Sequence, residues 1–89
     1  MSESTGSLLQ FPCDFPVKVF GNAEADFAEA VLAMVRKHAP GTAERAVSVR
    51  PSSGGKYSAV TVVVRAESQM QLDEIYRELT GSPRVKMAL

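Results

Sequence analysis

Few side chains in this sequence could take part in chemistry. His38 is the single histidine and Cys13 the single cysteine. Neither has a partner at a spacing typical of a catalytic pair or a metal site, and one cysteine excludes both an internal disulfide and a thiolate metal cluster. His38 follows a helical pattern, where a cationic imidazole suits the helix dipole. We therefore expect no catalytic residue, metal or cofactor, and hence no enzyme.

The glycine-rich stretch RPSSGGK, Arg50–Lys56, is the next candidate for chemistry. A phosphate-binding P-loop has the pattern GxxxxGK[ST] between a strand and a helix, so that free amides surround the phosphates. Here Arg50 stands at the place of the first glycine and Tyr57 at the place of the serine or threonine. The segment also leads into a strand, so the P-loop interpretation fails.

The same stretch is well suited to a tight hairpin turn. Gly54 and Gly55 allow positive φ angles, and Ser52 or Ser53 can bond to the local backbone. Turn amides can also bind an anion, which keeps open a second interpretation. The candidate ligand-binding residues of the turn are Ser52, Ser53, Gly55 and Lys56.

Nucleic-acid binding requires aromatic and basic residues that this sequence supplies only in part. RNA-recognition domains stack bases on aromatic side chains of their two central strands. Tyr57 stands near the first stacking position, but Ala59 and Lys18 stand where further aromatic residues belong. Ten basic and ten acidic residues give no net charge that would attract a polyanion. RNA binding is therefore an alternative hypothesis and not the leading one.

The overall composition indicates one globular domain. The chain has 89 residues, of which 45% are hydrophobic and 22% charged. No apolar run approaches the roughly 18 residues that cross a bilayer, and the first residues do not resemble a signal peptide. We expect a cytoplasmic protein that does not contact membranes. Residues 1–7 should be a disordered tail and residues 8–89 the single domain.

Hydrophobic periodicity gives the order of the elements. Alternation with a period of two predicts strands near 15–21, 46–50, 57–66 and 84–89. Helical spacing predicts a first helix capped by Asn22 and a second capped by Ser68, with Gln71 completing a capping box. The order strand, helix, strand, strand, helix, strand predicts an α+β ferredoxin-like βαββαβ sandwich. Its four-stranded antiparallel sheet should carry both helices on one face.

The same alternation predicts a sheet face that the helices leave uncovered. In the last strand Val85, Met87 and Leu89 should point inward, under the helices. Most acidic residues belong to the helices or their starts, so the uncovered face should be basic. It is either a solvated surface or an interaction face for a partner or a second copy. The candidate interaction residues are Lys18, Phe20, Arg50, Val63, Arg65, Arg84 and Lys86.

Four segments resemble the YbeD-like family of small bacterial proteins. They read LLQFPCDFPVKVFG, VRKHAPG, RPSSGGKYSAVTV and VKMAL, and together they span about residues 8–89. The resemblance implies a ferredoxin-like fold similar to ACT regulatory domains and no established catalytic residues. In some bacteria the genes of the family lie beside those for lipoate attachment, which implies a regulatory link to that process.

ACT domains commonly pair and bind small effectors where the first strand turns into the first helix. That analogy implies a ligand site at Gly21 and Asn22, where the backbone is accessible and helix amides could bind a carboxylate. The leading hypothesis is a non-enzymatic regulatory or interaction module, homodimeric, that binds a small carboxylate effector or a partner protein. The alternative is a nucleic-acid-binding module that uses the basic sheet face.

Overall fold

The structure, a computed structural model, describes residues 10–52 and 54–89. The strands β1 to β4 lie in one antiparallel sheet in the order β2-β3-β1-β4. This arrangement confirms the predicted α+β ferredoxin-like fold. The tail expected at residues 1–7 lies outside the described residues. The elements are β1 Cys13–Asn22, α1 Phe27–Arg36, a 3₁₀ turn Glu44–Ala46, β2 Val47–Pro51, β3 Tyr57–Ala66, α2 Gln69–Thr80 and β4 Val85–Ala88.

The core lies between the inner sheet face and the two helices. Valine dominates the strand side because its branched side chain packs well on a pleated sheet. Each such side chain stabilises the fold by roughly 1.5–3 kcal/mol when fully buried. The largest fully buried side chains are Val17, Val19, Val60, Val62 and Val64 of the sheet, Phe27, Val31 and Val35 of α1, and Leu72, Ile75 and Leu79 of α2.

The start of α2 has the predicted cap. The Gln71 amide donates to Ser68 Oγ at 3.1 Å, which satisfies one free N–H of the first turn. The Gln71 side chain accepts from the Glu67 amide at 2.7 Å and donates to the His38 carbonyl at 2.8 Å. The cap therefore also connects α2 to the segment that follows α1.

The predicted cap of α1 is wrong. Asn22 belongs to β1, where it lies opposite Tyr57, and the helix begins at Phe27 after Asp26. The Asp26 side chain makes no capping bond, because its carboxylate binds Arg84 instead. Long-range pairing of β1 with β3 decides this boundary over the local capping preference of asparagine.

A β-bulge reverses the predicted inward side chains at the end of β4. On β1, Phe20 and Gly21 are neighbours, but their partners Met87 and Val85 are two residues apart. Lys86 is thus the extra residue, and the alternation shifts by one position. Val85 points inward as predicted. Met87 and Leu89 do not, and 51% and 59% of their surfaces are exposed.

The two central strands extend beyond the edge strands. β1 and β3 pair over all ten residues of each strand, from Cys13 opposite Ala66 onward. The pairing of β2 with β3 stops at Val62. On the other side Leu89 exchanges two hydrogen bonds with Lys18, and no later pair continues toward Cys13 among the described residues. Within residues 10–52 and 54–89, one end of the sheet therefore has two strands.

Candidate interaction face

The outer side of the sheet, called the open face below, carries the side chains that alternate away from the core. Directly opposed residues share a face, so the register fixes its members. The helices cover only the other side of the sheet. The open face consists of Asp14, Pro16, Lys18, Phe20 and Asn22 of β1, Ser48 and Arg50 of β2, Tyr57, Ala59, Thr61, Val63 and Arg65 of β3, and Met87 with Leu89 at the end of the chain.

An apolar cluster occupies one part of the open face. Phe20 lies between Met87 on one side and Ala59 on the other. Tyr57 is two residues from Ala59 and so lies diagonally from Phe20, within reach of an aromatic ring. Its side chain is substantially exposed, and so is that of Val63. Because the bulge adds Met87 and Leu89, the face is more apolar than the alternation alone predicts.

Cations lie beside this apolar cluster and farther along the open face. Lys18, Arg50 and Arg65 are exposed on the open face. Among the described residues of this face Asp14 is the one acidic member, and it accepts from Arg65 at 3.3 Å. Lys86 is exposed beside the face as the bulge residue. The exposed carboxylates of Glu29, Glu67, Asp73 and Glu74 belong instead to the helices or to the entry into α2.

Arg84 is paired within the chain, and its predicted role on the interaction face stays a prediction. Its guanidinium binds Asp26 at 2.6 Å and Glu24 at 2.9 Å, both in the segment before α1. These ion pairs join the segment before α1 to the turn between α2 and β4. The strand pattern missed this contact because Arg84 precedes the first residue of β4.

The Asp26–Arg84 pair predicts that the stability difference between wild type and Arg84→Gln depends on pH. Hydrogen bonds and the charge of Arg84 lower the pKa of Asp26 below its ordinary value of 3.8. The stabilisation is therefore complete above the unfolded-state pKa and is lost as the pH falls through the lower folded-state pKa. Urea unfolding at a series of pH values measures this effect. At neutral pH the free energy of unfolding of wild type should exceed that of Arg84→Gln, and this difference should shrink as the pH falls.

Arg50→Gln is the control for this experiment, because Arg50 forms no ion pair among residues 10–52 and 54–89. The difference in free energy of unfolding between Arg50→Gln and wild type should stay constant as the pH falls into the acid range. A difference for Arg84→Gln that stays constant throughout the acid range would contradict the assigned role of the pair.

Gly21 is explained by packing within the chain. A Cβ built at this position would overlap the ring of Phe27 and would lie 2.5 Å from the Arg84 carbonyl oxygen. The space next to the backbone is thus filled by the protein itself and is not open to a ligand. Asn22 is exposed beside it. An effector site at Gly21 and Asn22 stays a prediction, without the accessible backbone that suggested it.

The hairpin between β2 and β3 has the predicted turn conformation. Gly54 and Gly55 have φ angles of 87° and 73°, which glycine adopts readily. Ser52 Oγ accepts from the Tyr57 amide at 3.0 Å, and the Ser52 carbonyl accepts from the Gly55 amide at 2.9 Å.

The positive φ angles therefore account for the two glycines, and local hydrogen bonds account for Ser52. The side chain of Lys56 is exposed, and Ser53 lies outside the described residues. Anion binding by Ser52, Ser53, Gly55 and Lys56 stays a prediction.

His38 takes part in an ion network between the helices. Its Nε2 lies 3.3 Å from Glu78 Oε1, and its Nδ1 lies 3.8 Å from Glu74 Oε1. Lys37 binds Glu78 at 3.2 Å. Hydrogen bonds from Lys37 and His38 lower the pKa of Glu78. The network gives His38 a structural role that joins the end of α1 to α2.

Two further properties concern the part of the chain that the structure describes. It contains no group of three or more histidine, cysteine or acidic residues that could hold a metal ion. Neither of its helices combines the length and apolar character needed to span a bilayer.

Comparison with known proteins places the chain in a family. A family model described as "Protein of unknown function (DUF493)" matches residues 6–89. A UPF0250 protein of Paraburkholderia phytofirmans is 49% identical over 89 residues, the whole of both chains. UPF0250 proteins of Neisseria gonorrhoeae and Chromobacterium violaceum are 49% and 48% identical, over 98% and 100% of this chain and 96% and 100% of theirs. The chain therefore belongs to the YbeD-like family of small bacterial proteins, as the four segments predicted.

Proposed function

We propose that this protein is a non-enzymatic interaction module that regulates a partner protein by binding it through the open face. The observation that carries the proposal is the uncovered apolar cluster of Phe20, Tyr57 and Met87, bordered by cations. Exposed apolar patches with a polar rim are typical of protein interaction sites. The location predicted from the sequence, the cytoplasm, is where such a partner would be sought.

The charges define the kind of partner. Lys18, Arg50 and Arg65 face outward, and Asp14 is the single acidic residue that the structure describes on this face. A complementary surface is therefore apolar with carboxylates around it. A symmetric pair of open faces would bring the cations of two copies into one interface. This favours a different, acidic protein over a second copy at the open face. Homodimerisation stays a prediction for the other surfaces.

A partner protein is also favoured over a small carboxylate effector. Beside Gly21 the space is filled by Phe27, and the nearby cation Arg84 is already bound to Glu24 and Asp26. A carboxylate ligand would have to compete with both acidic side chains. The regulatory link to lipoate attachment implied by the family resemblance names one process in which to seek the partner.

The test compares two methionine variants of the tagged protein. Met87 lies in the apolar cluster, whereas Met70 is 70% exposed on α2, in the helical layer. Met87→Glu should weaken capture of a specific protein from lysate of the source organism by about tenfold or more, since a buried unpaired carboxylate costs several kcal/mol. Met70→Glu should capture that protein as wild type does. Titration of the purified partner then gives the dissociation constants.

Equal capture by both variants, or loss with Met70→Glu alone, would exclude the open face as the binding surface. Sedimentation of the purified protein in the same buffer checks the predicted homodimer. Both variants change exposed residues, so their unfolding midpoints should match wild type and separate binding from stability.

A second candidate is binding of single-stranded nucleic acid. The diagonal placement of Phe20 and Tyr57 beside Lys18 and Arg50 favours it, because bases stack on exposed aromatic rings between cations. If it holds, labelled oligouridine should bind with an affinity that falls steeply with salt. Lys18→Gln should then reduce the salt dependence, and nuclease should abolish capture from lysate. Capture that survives nuclease and high salt supports the protein partner instead.

A further inference from the structure

Met87 gives the apolar cluster of the open face a side chain whose polarity a chemical reaction can change. It lies directly opposite Phe20 on the neighbouring strand β1, so the two side chains share the face. Oxidation of a methionine thioether to the sulfoxide turns a flexible apolar side chain into a polar one. The oxidation state of this sulfur therefore affects the surface that the proposed function uses.

The position of Met87 makes its sulfur accessible to a small oxidant. The residue belongs to the edge strand β4, and 51% of its surface is exposed. The bulge at Lys86 is responsible, because regular alternation would have turned Met87 toward the helices. Among the described residues Met87 is the one methionine on the open face.

Two other methionines provide internal references. Met34 of α1 is partly buried and packs against the core cluster, so an oxidant should reach it slowly. Met70 of α2 is 70% exposed and should react readily. Met1 lies outside the described residues. The chain thus contains a methionine that is shielded and one that is exposed away from the open face.

Oxidation should have different consequences at Met70 and Met87. Met70 belongs to the helical layer, so its sulfoxide would stay in water when a partner covers the open face. The sulfoxide of Met87 would have to lose its hydration inside an apolar contact, which is unfavourable for a polar group without a hydrogen-bond donor. It would also weaken the favourable contact between the thioether and the Phe20 ring. Modification of Met87 alone should therefore weaken partner binding.

We propose that Met87 is a redox-sensitive site that controls binding at the open face. Oxidation of its sulfur by a hydroperoxide releases the partner, and reduction of the sulfoxide by a thiol-dependent reductase restores binding. The inference rests on the proposed function for the existence of the partner, and it states how binding at that site is regulated.

Hydrogen peroxide is sufficient for the oxidation step. A lone pair of the Met87 sulfur attacks one peroxide oxygen, and the S–O bond forms as the O–O bond breaks. The departing hydroxide takes up the proton of the transferred oxygen and becomes water, so the sulfur loses the two electrons that the peroxide gains. In the reverse direction two thiols become a disulfide and the sulfoxide oxygen leaves as water. Since the chain has a single cysteine, these thiols come from the reductase.

The first part of the test follows the reaction by NMR of protein labelled in its methionine methyl groups. In dilute hydrogen peroxide the signals of Met70 and Met87 should convert to sulfoxide signals severalfold faster than the signal of Met34. In the reduced protein the Met87 methyl group should contact the Phe20 ring. The treatment is stopped while Met34 is still reduced, and the unfolding midpoint should then match that of untreated protein.

The second part measures the affinity for the purified partner that Met87-dependent capture identifies. After treatment, wild type and Met70→Leu should bind it about tenfold more weakly than before. Met87→Leu cannot form the sulfoxide at this position, so its affinity should be the same before and after treatment. Cys13 is present in all three proteins and cannot explain a difference between them. Methionine sulfoxide reductases with dithiothreitol should restore the affinity of treated wild type.

Three results would overturn the inference: reaction of Met87 no faster than that of Met34, unchanged affinity of oxidised wild type, or an equal loss of affinity in oxidised Met87→Leu. Loss of capture with Met87→Glu, together with normal binding of oxidised wild type, would disprove the redox control alone. Capture that Met87→Glu leaves intact would disprove the proposed function and the redox control with it.

Discussion

Replacing Phe27 with alanine should lower the free energy of unfolding by about 3–5 kcal/mol, the largest effect that we expect from a single substitution. Phe27 is the bulkiest of the fully buried side chains and the first residue of α1. Its removal loses the free energy gained when the ring is transferred from water into the core, and it leaves a cavity under the β1–α1 connection. Urea unfolding followed by circular dichroism measures the change.

Phe20→Ala is the matched control, because it deletes the same ring from the partly exposed open face. It should cost clearly less than Phe27→Ala, since less area is removed from contact with the protein and no closed cavity forms. Equal losses for the two variants would contradict the assignment of Phe27 to the core and of Phe20 to the open face.

Gly21→Ala should destabilise the protein by about 3 kcal/mol, in the upper part of the range for overpacked cores. The added methyl group would overlap the Phe27 ring and would come within 2.5 Å of the Arg84 carbonyl. Backbone on one side and a buried ring on the other leave it little room. Gly41→Ala is the control, because a Cβ there meets no atom within 4 Å. Its unfolding free energy should change by no more than about 0.5 kcal/mol.

A double substitution separates the two causes of this destabilisation. In a Phe27→Leu background, Gly21→Ala should cost about 1 kcal/mol less than in wild type, since the smaller side chain removes the overlap with the ring. The contact with the Arg84 carbonyl remains, so relief should be partial. Strictly additive effects would indicate that the backbone contact alone makes glycine necessary.

The parts of the fold that local sequence determines could be predicted from it. The alternation through Val60, Val62 and Val64 follows from the period of a strand, and all three are buried as expected. The cap at Ser68 and Gln71 involves neighbours three residues apart, so the pattern contains all of its geometry.

Contacts between distant segments could not be predicted in the same way. The bulge at Lys86 depends on how β4 meets β1, and it moved Met87 and Leu89 to the open face. A glycine within a strand, here Gly21, is the sequence signal that could have indicated a bulge. The contact of Arg84 with the start of α1 joins residues about sixty positions apart, beyond any periodicity.

Local sequence likewise determines only some features of the candidate site, and contacts between distant segments determine the others. Lys18, Phe20, Val63 and Arg65 lie on the open face where the alternation placed them. In the described residues β3 continues beyond its pairing with β2, and the alternation missed this because it depends on the unequal lengths of neighbouring strands. The alternation predicts the direction of side chains, but it does not predict where the partner strand turns away into the 3₁₀ turn at Glu44–Ala46.

The separation of charge between the open face and the helical layer gives this formally neutral molecule a permanent dipole. A protein whose charges cancel by count would still orient at a charged boundary, with Lys18, Arg50 and Arg65 toward an anionic surface and the α2 carboxylates away from it. Near its isoelectric point it should be retained weakly on both cation and anion exchangers. Its net charge describes its migration in a field, whereas its dipole describes the orientation in which it meets other molecules.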